Sequence, residues 1–221
     1  MDESDIRSRP VLDPFGVRIH GRGGQGVVTA AELLSVAAFI DGLHAQAFPS
    51  FGSERMGAPV VAFCRMSNRE IRTREPISSP DALIIQDVTL IHQVDIFSGL
   101  NPQGYILINT SRTFDELGLA EFIDRFDRAR ALTVPATEIA MARIGRPVAN
   151  AALLAGFAAI SAEVSMSAVI AAINRRFSGI TAANNVLAAK DAFEYVINEL
   201  NALMLADGQR TDAKDPAPHS R

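Results

Sequence analysis

Residues 18–34, "RIHGRGGQGVVTAAELL", place Gly21, Gly23 and Gly26 at G-x-G-x-x-G spacing between a short apolar run and an amphipathic one. In this pattern the first glycine permits a tight strand-to-helix turn. The second lets a ligand or another backbone come close, and the third lets the helix pack near the strand. The helix that follows starts with unpaired N–H groups and a partial positive charge, which suit a phosphate. Two more specific uses are incomplete. A dinucleotide site needs Asp or Glu about 20 residues downstream to hold the adenosine ribose, and that position falls in "AQAFPSFG", which has no carboxylate. A P-loop needs Lys followed by Ser or Thr, where Val27 and Val28 stand. The loop therefore keeps an anion-binding geometry without the nicotinamide contact, and a purely structural tight turn is its other reading.

A second stretch, "FPSFGSERMGAPVVAFCR" (48–65), is punctuated by Pro49, Gly52, Gly57 and Pro59 and presents Ser53, Glu54 and Arg55 beside the glycine loop. Arg55 can clamp a phosphate with two N–H groups, or pair with Glu54 or a partner chain; spacing alone leaves both open. His20, Asp87 and Thr110 end strands and point toward the ligand edge, although Asp at a strand end is equally a cap. His20, His44, His92 and His219 show no H-E-x-x-H spacing, so no metal site is expected. Cys64 sits in the apolar "VVAFC" as a small buried hydrophobe. One cysteine makes no internal disulfide, and a [4Fe–4S] cluster takes four thiolates.

The elements that must position these residues follow from the pattern of a 221-residue chain with 48% apolar residues, no Trp and a net charge of −4. With a pI near 5.6 no basic field recruits nucleic acid. "GVRIH", "HAQAF", "VVAFCRM", "DALIIQD" and "GYILINT" read as strands, with "EIRT" a candidate to pair with the third. "QGVVTAAELLSVAAFIDG", "NAALLAGFAAISA", "SAVIAAINRRF" and "AANNVLAAKDAFEYVINELNAL" read as helices, and "FDELGLAEFIDRF" as a weaker one. Strands alternating with helices and then a helical last third describe an α/β fold: an open, mainly parallel, Rossmann-like three-layer sheet. Residues 1–14 read as a flexible arm, 15–204 as one domain and 205–221 as a disordered tail. The apolar stretch 147–160 is short of the roughly 20 residues of a spanning helix and reads as a buried or interface helix. The charged start lacks the apolar core of a secretory signal, so a cytoplasmic protein is expected.

Together the stretches resemble the gamma subunit of pyruvate:ferredoxin oxidoreductase and related 2-oxoacid:acceptor oxidoreductases. Gly21 to Gly26 match its G-x-G-G-Q-G pattern, and "AFPSFGSERMGAPVVAFCRM" resembles its second signature. "REPISSPDALIIQD" and "GRPVANAALLAGFAA" resemble later segments. The resemblance implies a complex with alpha, beta and delta subunits. It decarboxylates a 2-oxoacid (pyruvate, or an aromatic acid such as phenylglyoxylate) on thiamine diphosphate, passes electrons through [4Fe–4S] clusters to ferredoxin or another acceptor, and makes acyl-CoA. It places thiamine diphosphate and the clusters on partner subunits, and implicates Gly23, Gly24, Gln25, Gly26, Arg55 and Asn150 in a shared coenzyme A site. The Asn-Asn pair in "AANNV" lacks a Gly-Asp-Gly about 25 residues earlier and reads as ordinary helix. The other readings are a free-standing nicotinamide enzyme, disfavoured by the missing carboxylate, and a structural subunit that binds nothing. The apolar content and the aromatic "FPSF" loop lead us to expect an obligate hetero-oligomer.

Overall fold

A computed structural model describes residues 14–50 and 56–212. The expected arm therefore lies, Pro14 apart, outside the described residues, and so does Arg55. Six strands, β1 (Phe15–Arg22), β2 (His44–Pro49), β3 (Pro59–Ser67), β4 (Ala82–Ile85), β5 (Tyr105–Asn109) and β6 (Ala131–Val134), form one sheet in the order β2-β3-β1-β4-β5-β6. β1, β4, β5 and β6 are mutually parallel, whereas β3 runs antiparallel to both β1 and β2. The helices are α1 (Val27–Ile40), the single turn α2 (Ala120–Ile123), α3 (Ala136–Ile144), α4 (Asn150–Ser161), α5 (Met166–Arg176) and α6 (Gly179–Asp212).

Strand alternation sorts the core into two unequal layers. Val17, Ile19, Ala62, Cys64, Ile84, Leu107 and Leu132 face the helical side, packed against α1 and α3 to α6. Leu83, Ile85, Ile106 and Ile108 face a thinner cover that includes Leu90, Ile96, Leu117 and α2. The apolar stretch 147–160 becomes α4, buried along nearly its whole length. A Cβ at Gly156 would stand 3.2 Å from Leu107 and 3.5 Å from Val196, so glycine lets α4 pass closely between β5 and α6.

Where the cover is thin, β1 and β3 place polar groups against it. Arg18 donates to the carbonyls of Ile96 and Ser98 (2.5 and 2.8 Å) and Arg65 to that of Glu75, so two guanidinium groups pin irregular segments onto the sheet. His20, 5% exposed, has no partner at Nε2. Burial, and then the neighbouring Arg18 charge, lower its pKa to about 3. An unfolded histidine takes a proton near pH 6.5 that the folded one refuses until about pH 3, so His20's contribution is complete above pH 6.5 and is lost as pH falls. His20→Gln is expected to remove about 3 kcal/mol of the acid sensitivity between pH 7 and pH 4. Urea unfolding at the two pH values checks this, and parallel slopes for wild type and variant would refute it.

Several sequence expectations change. "EIRT" (70–73) is not a strand; the carbonyl of Ile71 is held instead by the Gln46 side chain at 2.9 Å. β6 and α3 were not anticipated, because a four-residue strand offers too short an apolar run for its period to show. Helix α6 continues to Asp212 and so takes up the start of the segment expected to be a disordered tail from 205. Phe48, which ends the expected strand "HAQAF" and opens the aromatic "FPSF" stretch, is a buried residue of β2 with its ring 5.2 Å from that of Phe63, so it adds no exposed apolar surface.

Candidate functional site at the carboxyl edge of the parallel strands

The four parallel strands end on one edge, and each hands over to a turn that carries a polar side chain. The β1–β4 register pairs His20 with Ile85, and the N–H of Gln86 donates to the carbonyl of His20 at 2.7 Å. This sets the glycine loop beside the end of β4. At the end of β5, Asn109 donates to the Gln86 carbonyl (2.9 Å) and to Thr137 Oγ1 (2.8 Å) while accepting from the Thr137 N–H (3.0 Å). It thereby ties β4, β5 and the start of α3 together.

Gly26, with φ +76°, caps α1, and Asn150 is the first residue of α4. A Cβ on Gly26 would stand 2.5 Å from Asn150 Nδ2, so the two helix starts touch through these residues. Neither helix has a side-chain cap or an acidic residue in its first turn. Two partial positive charges thus converge with no acidic residue in either first turn. The structure brings together Gly26 and Asn150, 124 positions apart in the chain by subtraction of their numbers.

The rest of the glycine loop is occupied by the protein itself. The Gly23 N–H donates to the Ala58 carbonyl (2.9 Å), and the Gly23 carbonyl accepts from the Gly57 N–H (3.0 Å). The close approach that glycine permits there is made by another backbone. Gln25 is similarly engaged: its Oε1 accepts from the Arg22 N–H, and its Nε2 donates to Asp87, both at 2.8 Å. Gly24 is exposed, and a Cβ there would strike the Met56 sulfur. Arg55 lies outside the described residues; Met56, the next residue, bridges to Gly23.

Arg22 and Asp87 organise this corner, and only Asp87 was singled out in the sequence. Arg22 pairs with Asp87 at 3.1 Å and reaches the Gly57 carbonyl, Thr89 and Gln93. Despite the opposing effect of burial, hydrogen bonds from Thr89 and Gln25 and the Arg22 charge hold the Asp87 carboxyl below its ordinary pKa. Asp87 also accepts from the Thr89 N–H at 3.0 Å, so it caps the 3-10 turn Val88–His92 instead of facing a ligand. Thr110 Oγ1 accepts from the Arg112 N–H at 3.2 Å.

Cys64 is buried, which pushes its thiol pKa up and leaves it a packing residue. Among the described residues no three His, Cys, Asp or Glu side chains gather as metal ligands. No helix among them is long and apolar enough to cross a membrane. Asn184 and Asn185 lie within α6, where Asn185 bonds the Thr181 carbonyl. A concavity of about 250 Å³ bordered by Phe114, Ile123, Leu132 and Leu203 includes no glycine-loop residue.

Fold and site define an α/β domain in which two helix N-termini without side-chain caps meet at the carboxyl edge of a mixed sheet. The family description of pyruvate ferredoxin/flavodoxin oxidoreductases matches residues 16–195. The pyruvate synthase subunit PorC of Methanosarcina barkeri is 49% identical over 157 residues, covering 71% of this chain and 83% of that protein. The gamma subunit common to the pyruvate and ketoisovalerate oxidoreductases of Pyrococcus abyssi is 43% identical over 178 residues, covering 80% and 95%. The crystal structure of pyruvate oxidoreductase subunit PORC from Thermotoga maritima superposes with a TM-score of 0.70 at 30% identity, covering 83% of this chain and 97% of that one. The chain belongs to the pyruvate ferredoxin/flavodoxin oxidoreductase family, and its fold is that of the PorC subunit.

Proposed function

We propose that the chain is the gamma subunit of a cytoplasmic, coenzyme A-dependent 2-oxoacid:acceptor oxidoreductase, and that its carboxyl edge forms part of the coenzyme A site. The complex converts a 2-oxoacid, coenzyme A and an oxidised acceptor to acyl-CoA, CO2 and reduced acceptor, with pyruvate or a relative such as phenylglyoxylate as the acid. Alpha, beta and delta subunits carry thiamine diphosphate, which stabilises the carbanion left by decarboxylation, and [4Fe–4S] clusters that pass electrons to ferredoxin or another acceptor. The lone buried Cys64 is no cluster ligand set, which fits this division. Phe39, Met56, Ile180, Met204 and Leu205 remain largely exposed and supply apolar surface for partner subunits.

One observation carries the coenzyme A reading: the uncapped N-termini of α1 and α4, in contact through Gly26 and Asn150, leave N–H donors for a phosphate. Arg22 is balanced by Asp87, so a free cation must come from elsewhere, and Arg55 precedes the residue that bridges to Gly23. The engaged backbone of Gly23 favours a second reading, in which the loop is a structural clasp for 56–58 and binds nothing.

Coenzyme A titration of acyl-CoA formation in the assembled complex separates the two. Losing a charged hydrogen bond costs roughly 1.5–3 kcal/mol, so Arg55→Ala is expected to raise half-saturation about ten-fold or more. Asn150→Ala, which removes a neutral bond, is expected to raise it about five-fold. Unchanged half-saturation in both variants would establish the clasp and take coenzyme A off this subunit.

A further inference from the structure

Gln86 directly follows β4 with its backbone fixed on both sides: its N–H donates to His20 and its carbonyl accepts from Asn109. Its side chain, 6% exposed, donates from Nε2 to Asn150 Oδ1 at 2.7 Å. Its Oε1 is buried without a partner, 3.0 Å from where a Cβ on Gly21 would stand. An unpaired buried carbonyl is destabilising, and an apolar side chain of the same length would avoid it. What only the carboxamide supplies is the donor to Asn150.

That donor decides how Asn150 is used. Asparagine readily bonds backbone N–H groups near itself, and in doing so it would occupy the start of its own helix. With Oδ1 held by Gln86, Asn150 makes no such bond; α4 stays uncapped and Nδ2 lies against Gly26. We propose that Gln86 is a positioning residue of this site: it holds the Asn150 carboxamide so that its NH2 group and the α4 N-terminus, buried in the chain by itself, both stay without a side-chain partner and are left for a phosphate-bearing ligand. This inference rests on the coenzyme A reading above.

The test is Gln86→Met in the assembled complex. It is expected to raise the half-saturation for coenzyme A about five-fold, with a smaller change in kcat at saturating coenzyme A. The unfolding temperature is expected to change little, because the unpaired Gln86 carbonyl is gone while Asn150 Oδ1 loses its donor. On an Asn150→Ala background it should add nothing, since Gln86 acts through Asn150. Gln86→Glu provides a second arm: a carboxylate accepts from Nδ2, turns Oδ1 toward Gly26, and should weaken coenzyme A more than methionine does.

A lowered unfolding temperature with kcat and half-saturation impaired alike would mark Gln86 as merely structural and overturn the proposal. Unchanged half-saturation in both Gln86 variants, beside a raised value in Asn150→Ala, would overturn it while leaving the coenzyme A reading intact. No change in any of the three, nor in Arg55→Ala, would remove that reading and the proposal with it.

Discussion

Gly26→Val is expected to abolish coenzyme A-dependent turnover in the assembled complex and to lower the chain's unfolding free energy by about 3 to 5 kcal/mol. Two costs add. Gly26 caps α1 in the left-handed region, with φ +76° and ψ 33°, which a β-branched residue adopts only under strain. The new Cβ would also stand 2.5 Å from Asn150 Nδ2, far inside contact distance. The flexible end of Asn150 would have to move, and with it the bond to Gln86. A stable α1 and a free α4 N-terminus cannot both survive that shift. Gly26→Ala keeps the backbone strain and the near contact with less bulk, so it should fall between wild type and valine. Urea unfolding of the chain and acyl-CoA formation by the complex measure the two effects. A valine variant with native stability and turnover would mean that the two helix starts do not depend on this contact.

How much of this was legible beforehand varies with the range of the interaction. The glycine loop, α1 and the two central strands announce themselves through local pattern: Val17 and Ile19 alternate with Arg18 and His20, and "ALII" is buried throughout. The mixed character of the sheet is less visible, because nothing local tells β3 to run antiparallel between β1 and β2. At the site, Gly26 came from the glycine spacing and Asn150 from the resemblance, and only the fold shows that they touch. Gln86, Asn109 and Arg22 escaped because their partners, Asn150, Thr137 and Asp87, are distant in sequence. One signal was available for Gln86. A carboxamide directly after a strand apolar on both faces stands where a buried polar group must have a reason to be.

At Gly23 the sequence left two occupants open, a ligand or another backbone, and the fold places a backbone there. A glycine that permits close approach does not say what approaches, and here the backbone of Gly57 and Ala58 fills the space. Arg22 reinforces this by reaching the Gly57 carbonyl at 3.1 Å, so the second signature is clasped to the first before any ligand enters. The part of the motif left for a ligand is its helical end, at Gly26.

Purified without partner subunits, the chain is expected to reduce no acceptor with any 2-oxoacid, a complete loss relative to the assembled complex. Oxidative decarboxylation needs a group that stabilises a carbanion and a carrier that takes electrons one at a time. The chain's single cysteine cannot replace the four thiolates of a [4Fe–4S] cluster. Its thiol is buried and its pKa pushed up, so it is also a poor thiolate ligand. The Asn184–Asn185 pair, the nearest thing to a thiamine motif, is spent within α6, with Asn185 bonded to the Thr181 carbonyl. What the chain retains is the edge proposed for coenzyme A, which would bind a substrate without oxidising it. Dye reduction by the lone chain with pyruvate and with phenylglyoxylate, with and without coenzyme A, is the measurement. Turnover in any of these would require a redox centre built from this chain's own residues, and the division of labour proposed for the complex would fall. No dye reduction by the lone chain, with turnover regained when partner subunits are added, is the result that this division requires of a subunit holding only part of the acyl-acceptor site.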